Sequence, residues 1–242
     1  MTYSNDKDLL PKEGLTYFIN LSDHLVCVNF IRTNGLVSPS LYHMITYKEE
    51  YPLYNSDLKK LVTDLEYEPI GFASPRLAIL KYSKVANNGY KLAQGEEVPV
   101  KWLPDNVVNR YHKIAQLEVE FERIRRLIAP NAASRLSAIF LAADNLDGRL
   151  MLQNMFNSFT SFLIAPIEVK YIHRIHKADS KWIAHYEQSP SEQLILSYWL
   201  GAPSDNEPQY EYLIEGIVQL KNLEDREHIK SETSKIHPWI VI

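Results

Sequence analysis

Along this chain the hydrophobic positions change period several times, and the change near the C-terminal end is the most informative. In the stretch Pro208 to Gly216, Tyr210, Tyr212, Ile214 and then Gly216 fall on one side of an alternating pattern, and Glu211, Leu213 and Glu215 on the other, which is the period of a strand. The polar turn Ser204-Asp205-Asn206-Glu207-Pro208 cannot join a sheet, so Gln209 and Glu211 emerge at the strand's start, two residues apart and side by side. An amide and a carboxylate placed where a strand leaves a loop can hold a polar ligand, with the loop supplying selectivity. The plainer alternative is a solvated edge strand.

The rest of the pattern divides into shorter elements. Leu15 to Ile31 is mainly β-branched and aromatic and ends at a turn, Asn34-Gly35. Leu41 to Tyr47 reads as the next strand, with Tyr42, Met44 and Thr46 opposed to His43, Ile45 and Tyr47. From Glu49 to Gly95, Pro52, Pro69 and Pro75 break the pattern into loops, a short helix near Asp57 to Leu65 and a short strand from Arg76 to Tyr82, before a turn at Asn87-Asn88-Gly89. After Pro104-Asp105, apolar residues from Val108 to Ile128 recur at three- and four-residue spacing, predicting one long helix that Pro130 ends. Its wet side is expected to carry Glu118, Glu120, Glu122, Arg123, Arg125 and Arg126, with Glu122 and Arg126 as an i,i+4 pair.

Ser134 to Asp144 passes from two hydroxyls and a cation into an unbroken apolar run, the pattern of a buried strand with a cation at its mouth. A helix is expected over Leu146 to Phe159 and an alternating strand over Ile167 to Ile175. Ser189-Pro190-Ser191-Glu192 opens a helix that Gly201 stops. Lys221 to Lys235 reads as a charged helix or arm, and Trp239 to Ile242 as an apolar end that docks back. One dominant helix ahead of several strands predicts an α+β fold.

Composition narrows the function classes. The 242 residues carry 45% apolar residues, enough for a sizeable core, and a net charge of −4, so no global basic field points to nucleic acid. A single cysteine, Cys27, rules out an internal disulfide framework and suggests a reducing compartment. The polar stretch Thr2 to Lys7 and the absence of a long apolar run predict a cytoplasmic protein with no membrane partner. His173 and His176 are three apart in an alternating strand and point to opposite faces, which does not suit a metal; no metal site is expected. Nucleotide-binding glycine loops and zinc motifs are absent from the sequence.

Three stretches taken in order resemble the ADP-ribosyltransferase superfamily: Tyr42-His43, then Ser134-Arg135-Leu136-Ser137 leading into Ile139-Phe140-Leu141-Ala142, then Gln209-Tyr210-Glu211. Tyr210 to Ile214 is similar to the Glu-bearing strand of the poly-ADP-ribose polymerase branch, and Ile139 to Ala142 to that branch's Ile-Tyr-Phe-Ala. The ordered set that adds Glu122 to Arg126, Tyr198-Trp199-Leu200-Gly201 and Glu215-Gly216 is closer still to a group of little-characterised bacterial ADP-ribosyltransferase-like domains. Departures are that Met44-Ile45 follows His43 where the polymerase branch has Gly-Ser, and that Phe140 stands for Tyr. Gln209-Tyr210-Glu211 matches the Gln-x-Glu pattern of branches that modify asparagine or guanine.

The resemblance implies an ADP-ribosyltransferase-like split sheet with one long helix and shorter flanking helices over residues 41–220. Residues 1–40 would be an N-terminal extension packed on the core, and 221–242 a C-terminal arm. It implies NAD as substrate and a macromolecular acceptor, with RNA, DNA and protein all open. Glu211 would stabilise the positive charge that develops on the ribose, and Gln209 would orient the acceptor. His43 would hold the adenosine ribose and Arg135 the pyrophosphate, Tyr42 or Phe140 would pack on nicotinamide, and Ser137 would complete the cofactor-binding set. His43 as a satisfied structural residue, and Arg135 in an ion pair with a surface Glu, stay open beside these roles. A toxin-type or phage-defence enzyme restrained by a cognate antitoxin is expected. The alternatives are a catalytically inactive domain that binds a nucleotide or partner, and a nucleic-acid-binding module.

Overall fold

The computed structural model describes residues 6–69, 74–88, 90–91, 97–98 and 104–236. The fold is α+β: helices alternate with a five-stranded antiparallel sheet, and a separate two-stranded ribbon pairs Tyr90–Lys91 with Glu97–Val98. The chain forms two compact units, one of residues 1–38, 131–133 and 139–242, the other of residues 39–130 and 134–138.

The first unit holds the sheet. Its strands are β1 (Leu15–Asn20), β2 (Gly35–Val37), β5 (Ile139–Ala143), β6 (Phe162–Asp179) and β7 (Tyr210–Leu220), the ribbon above being β3 and β4. The order is β2-β7-β5-β1-β6, and β7 also pairs with β6 along almost its whole length, so the pairings β1–β5–β7–β6–β1 form a circuit. Within the expected N-terminal extension, the described strands are part of the sheet itself. β1 and β2 are members of the sheet, because hydrogen-bonding groups on either side of β7 and β5 take them as neighbours.

Antiparallel register fixes which residues share a face. Tyr212 and Ile214 face the same way as Leu141, Ile139, Ile175, Leu15 and Ile19. That side is the apolar core. It is covered by α1 (His24–Thr33), through Cys27, Phe30 and Ile31, and by Ile229 of α9 (Leu223–Ile236). Helix α1 starts where the Asp23 carboxylate accepts from the Val26 N–H, and it ends at Asn34 in the left-handed region (φ 57°), so the Asn34-Gly35 turn is a helix cap. The burial of Ile229 ties the expected C-terminal arm into the core, and Trp239 to Ile242 lies outside the described residues.

Two bulges on β6, between Val169 and Tyr171 and between Ile172 and Arg174, bracket the two residues, Tyr171 and Ile172, that pair with Ile217 and Gly216. A Cβ at Gly216 would stand 2.1 Å from the Tyr171 carbonyl oxygen, and the Gly216 N–H donates to Ser38 Oγ (2.9 Å). Gly216→Ala should therefore force the two strands apart and cost about 1–3 kcal/mol of stability, read from urea unfolding. A loss below about 0.5 kcal/mol would contradict this close approach.

The second unit contains α2 (Pro39–Tyr47), α3 (Lys60–Thr63), α4 (Pro75–Asn88) and α5 (Asp105–Ile128). Its core gathers Tyr51, Leu53, Tyr54, Leu61, Leu77, Leu80, Ala115 and Leu136. Helix α5 spans the residues its spacing predicts. Leu41 to Tyr47, read as a strand, is helical: Pro39 presets the first turn, and the helix ends where Lys48 adopts φ 59° and donates its N–H to Met44 O (2.9 Å). Arg76 to Tyr82 likewise belongs to a helix, α4.

Candidate functional site

The opposite face of the sheet in the first unit carries the polar groups. Glu211, Leu213 and Glu215 of β7 share it with Ala178, His176 and Arg174 of β6, with Ala142 and Phe140 of β5, and with Thr16 and Phe18 of β1. Below Ala142 it is apolar: Phe18, Met151 and Leu152 pack with Phe156 and Phe162, Met151 and Leu152 coming from α6 (Leu146–Met155). Above, α7 (Lys181–Gln188) leads to α8 (Glu192–Trp199), which brings Tyr198 and Trp199 to the sheet.

Glu211 is 1% exposed, and the Tyr198 hydroxyl donates a hydrogen bond to its Oε1. His176 Nε2 donates to the Tyr198 carbonyl oxygen (3.2 Å), which fixes the proton on that nitrogen, and its ring lies 4.9 Å from Trp199. Glu215, fully buried, lies 3.9 Å from Arg174 Nε. Burial first, then Arg174, pushes the His173 imidazole below its ordinary value, with Glu215 opposing.

The loop ahead of β7 is tied down by the buried Asp179. Its Oδ1 accepts from Gln209 N–H (3.0 Å) and Lys181 N–H (3.1 Å), and its Oδ2 from Ser204 N–H (2.8 Å) and Ser204 Oγ (2.6 Å). Lys181 Nζ adds bonds to Asp205 Oδ2 (2.8 Å) and the Glu207 carbonyl (2.6 Å). Gln209 itself is exposed, so its backbone is anchored while its side chain faces solvent.

Of the residues singled out in the sequence, the structure brings Glu211 and Phe140 together on one face of adjacent strands, with Gln209 directly before β7. The other four belong to the second unit. Tyr42 is exposed on α2, and His43 packs its ring 4.7 Å from Tyr47 and 5.6 Å from Tyr51 with Nε2 3.5 Å from Glu49 Oε1. His43 is thus on a helix, not a strand. Ser137 is buried in a turn, its N–H on Ser134 O (3.1 Å).

Arg135 is 1% exposed and is no open cation at a strand mouth. Its Nε and Nη2 fork onto Glu118 Oε2 and Oε1 (both 3.0 Å), and Arg76 also bonds Glu118. A parallel fork joins Arg125 to Glu122 (2.9 and 2.8 Å), which also receives Arg126 (3.0 Å) and Ser134 Oγ (2.7 Å). The Glu122–Arg126 pair is as expected, but Glu118, Glu122 and Arg125 are buried rather than wet: Glu118 closes on Arg135 and Arg76 from distant segments, while Glu122 and Arg125 close on each other along the helix. Glu120 and Arg123 do stay partly exposed and pair with each other.

Burial raises the Glu118 carboxyl, but the Arg135 and Arg76 guanidiniums outweigh it and hold the group below its ordinary value. A depressed folded-state value contributes stability above the unfolded value, about 4.3, and that stability is lost as pH falls through the folded one. The drop in urea midpoint between pH 7 and about pH 3 should therefore shrink in Glu118→Gln. An equal drop in both proteins would contradict the assignment.

The signals missed in the sequence were Tyr198 as a partner of Glu211, His176 behind it, and Asp179 under the loop. Among the described residues, no cluster of three or more His, Cys, Asp or Glu is placed to hold a metal ion, and no helix is long and apolar enough to cross a membrane.

These features define an α+β protein whose antiparallel sheet buries a glutamate–tyrosine pair on one face. Residues 41–230 match the family described as "protein of unknown function (DUF2441)", and the chain belongs to that family. A search of curated proteins finds no match.

Proposed function

We propose that the protein is an NAD-dependent ADP-ribosyltransferase in which Glu211 is the reactive carboxylate. The observation that carries this reading is the placement of Glu211: at the start of β7, directly after an anchored loop, held by Tyr198, and on the same sheet face as Phe140 one strand away. Three contiguous strands, β1, β5 and β7, support that face. Cleavage of the nicotinamide–ribose bond sends the bonding electron pair to nicotinamide and leaves positive charge on the ribose. A fixed carboxylate sheltered from water stabilises that developing charge. The acceptor nucleophile then bonds the ribose carbon and loses a proton. Gln209, exposed beside the site, orients that acceptor. Arg135, locked on Glu118, is left out of NAD binding in this reading, and so is His43.

The near-complete burial of Glu211 favours a second reading, a domain that binds a nucleotide or partner without cleaving NAD. NAD tagged on its adenine, added to cell extract with the purified protein, separates the two. Label in protease- or nuclease-sensitive material supports the transferase and names the acceptor class, whereas NAD left intact supports the binding domain. A toxin or defence role with a restraining partner protein goes with the first reading, and growth arrest on solitary expression is its expected sign.

A further inference from the structure

We infer that Tyr198 is the positioning residue for the Glu211 carboxylate, an inference that rests on the transferase reading. Tyr198 is fully buried and is held at three points. Its hydroxyl donates to Glu211 Oε1, its carbonyl oxygen accepts from His176 Nε2 (3.2 Å), and its ring meets Trp199 edge-on at 4.9 Å. Because His176 stands on β6 beside Leu213 of β7, the same sheet that carries Glu211 also anchors the group that orients it. Helix α8 and strand β7 are thereby closed into one rigid frame around a single carboxylate oxygen. A glutamate side chain has three rotatable bonds, and a donor fixed from a second element selects one arrangement among the many they allow. A core tyrosine serving packing alone has no need to aim its hydroxyl at a carboxylate, since a buried phenol can be satisfied by a backbone carbonyl.

Tyr198→Phe keeps the ring and removes the donor. It should lower kcat for NAD cleavage about 10- to 100-fold with KM within about twofold, the signature of a reacting group displaced without loss of substrate binding. If Tyr198 acts through Glu211, the double variant Tyr198→Phe/Glu211→Gln should be no slower than Glu211→Gln alone; independent, multiplying losses would overturn the inference. A second readout needs no activity. With glutamate labelled by carbon-13 at the side-chain carboxyl, the resonance that disappears in Glu211→Gln should move in Tyr198→Phe and stay in place in Trp199→Phe. An unmoved resonance in Tyr198→Phe would also overturn the inference. Wild-type protein that cleaves no NAD while the resonance does move would instead sink the transferase reading and leave the Tyr198–Glu211 contact standing.

Discussion

Replacing Glu211 by glutamine should lower kcat for NAD cleavage by at least about 10²–10³-fold while NAD binding survives. Glutamine keeps the length of the side chain and an acceptor oxygen for the Tyr198 hydroxyl, so the frame around position 211 is retained. What is lost is the negative charge facing a cation that exists mainly in the transition state. The ground-state nicotinamide ring also carries positive charge, but it senses one carboxylate weakly by comparison. Gln209→Ala should behave differently. The backbone there is already fixed by Asp179 and Ser180, and the side chain is exposed, so the fold should be indifferent to the change. Transfer to the acceptor should fall while slow hydrolysis of NAD continues, because water needs little orientation. Equal loss of hydrolysis in both variants would move Gln209 into the NAD site itself.

Removing Glu118 should be the most damaging single change to stability. Two guanidiniums converge on this carboxylate, and Arg135 is almost wholly shielded from water. Glu118→Ala leaves Arg135 buried without its fork, a loss of about 3–5 kcal/mol for a broken buried pair. At this chain length each kcal/mol corresponds to roughly 2–4 °C, so the melting temperature should fall by about 6–20 °C. Glu118→Leu/Arg135→Met removes both buried charges together and should recover much of that loss. Arg76, with its side chain 21% exposed, can turn toward solvent in that double variant. A fall of less than about 1 kcal/mol in Glu118→Ala would mean that the pair is screened as surface pairs are.

Several parts of this architecture are readable in the sequence because they depend on local period. Helix α5 repeats its apolar residues over 24 positions, long enough for the helical period to dominate. The two faces of β7 follow from strict alternation, and the register with β5 and β6 places Glu211 and Glu215 on the side their spacing predicts. Helix α2 is misread because Tyr, Ile and Thr are frequent in strands, and nine residues hold too few turns for the helical period to speak against them. What decides there is Pro39 at the first helical position. Arg135 fails for a different reason. A basic residue between hydroxyls looks the same in sequence whether it waits for a phosphate or closes on a glutamate 17 positions away. Asp179 is invisible in the same sense, since it collects N–H donors from Ser204 and Gln209, 25 and 30 residues ahead. β1 pairs with strands more than a hundred residues downstream, so no local pattern announces its place in the sheet.

Release of free nicotinamide from NAD by purified protein measures the proposed role of Glu211 without knowledge of the acceptor. Wild-type protein should release nicotinamide well above the rate in buffer, and Glu211→Gln, with its melting temperature within a few degrees of wild type, should release it at least about 10²-fold more slowly. Release by wild type no faster than in buffer, or undiminished release by Glu211→Gln, would contradict the account.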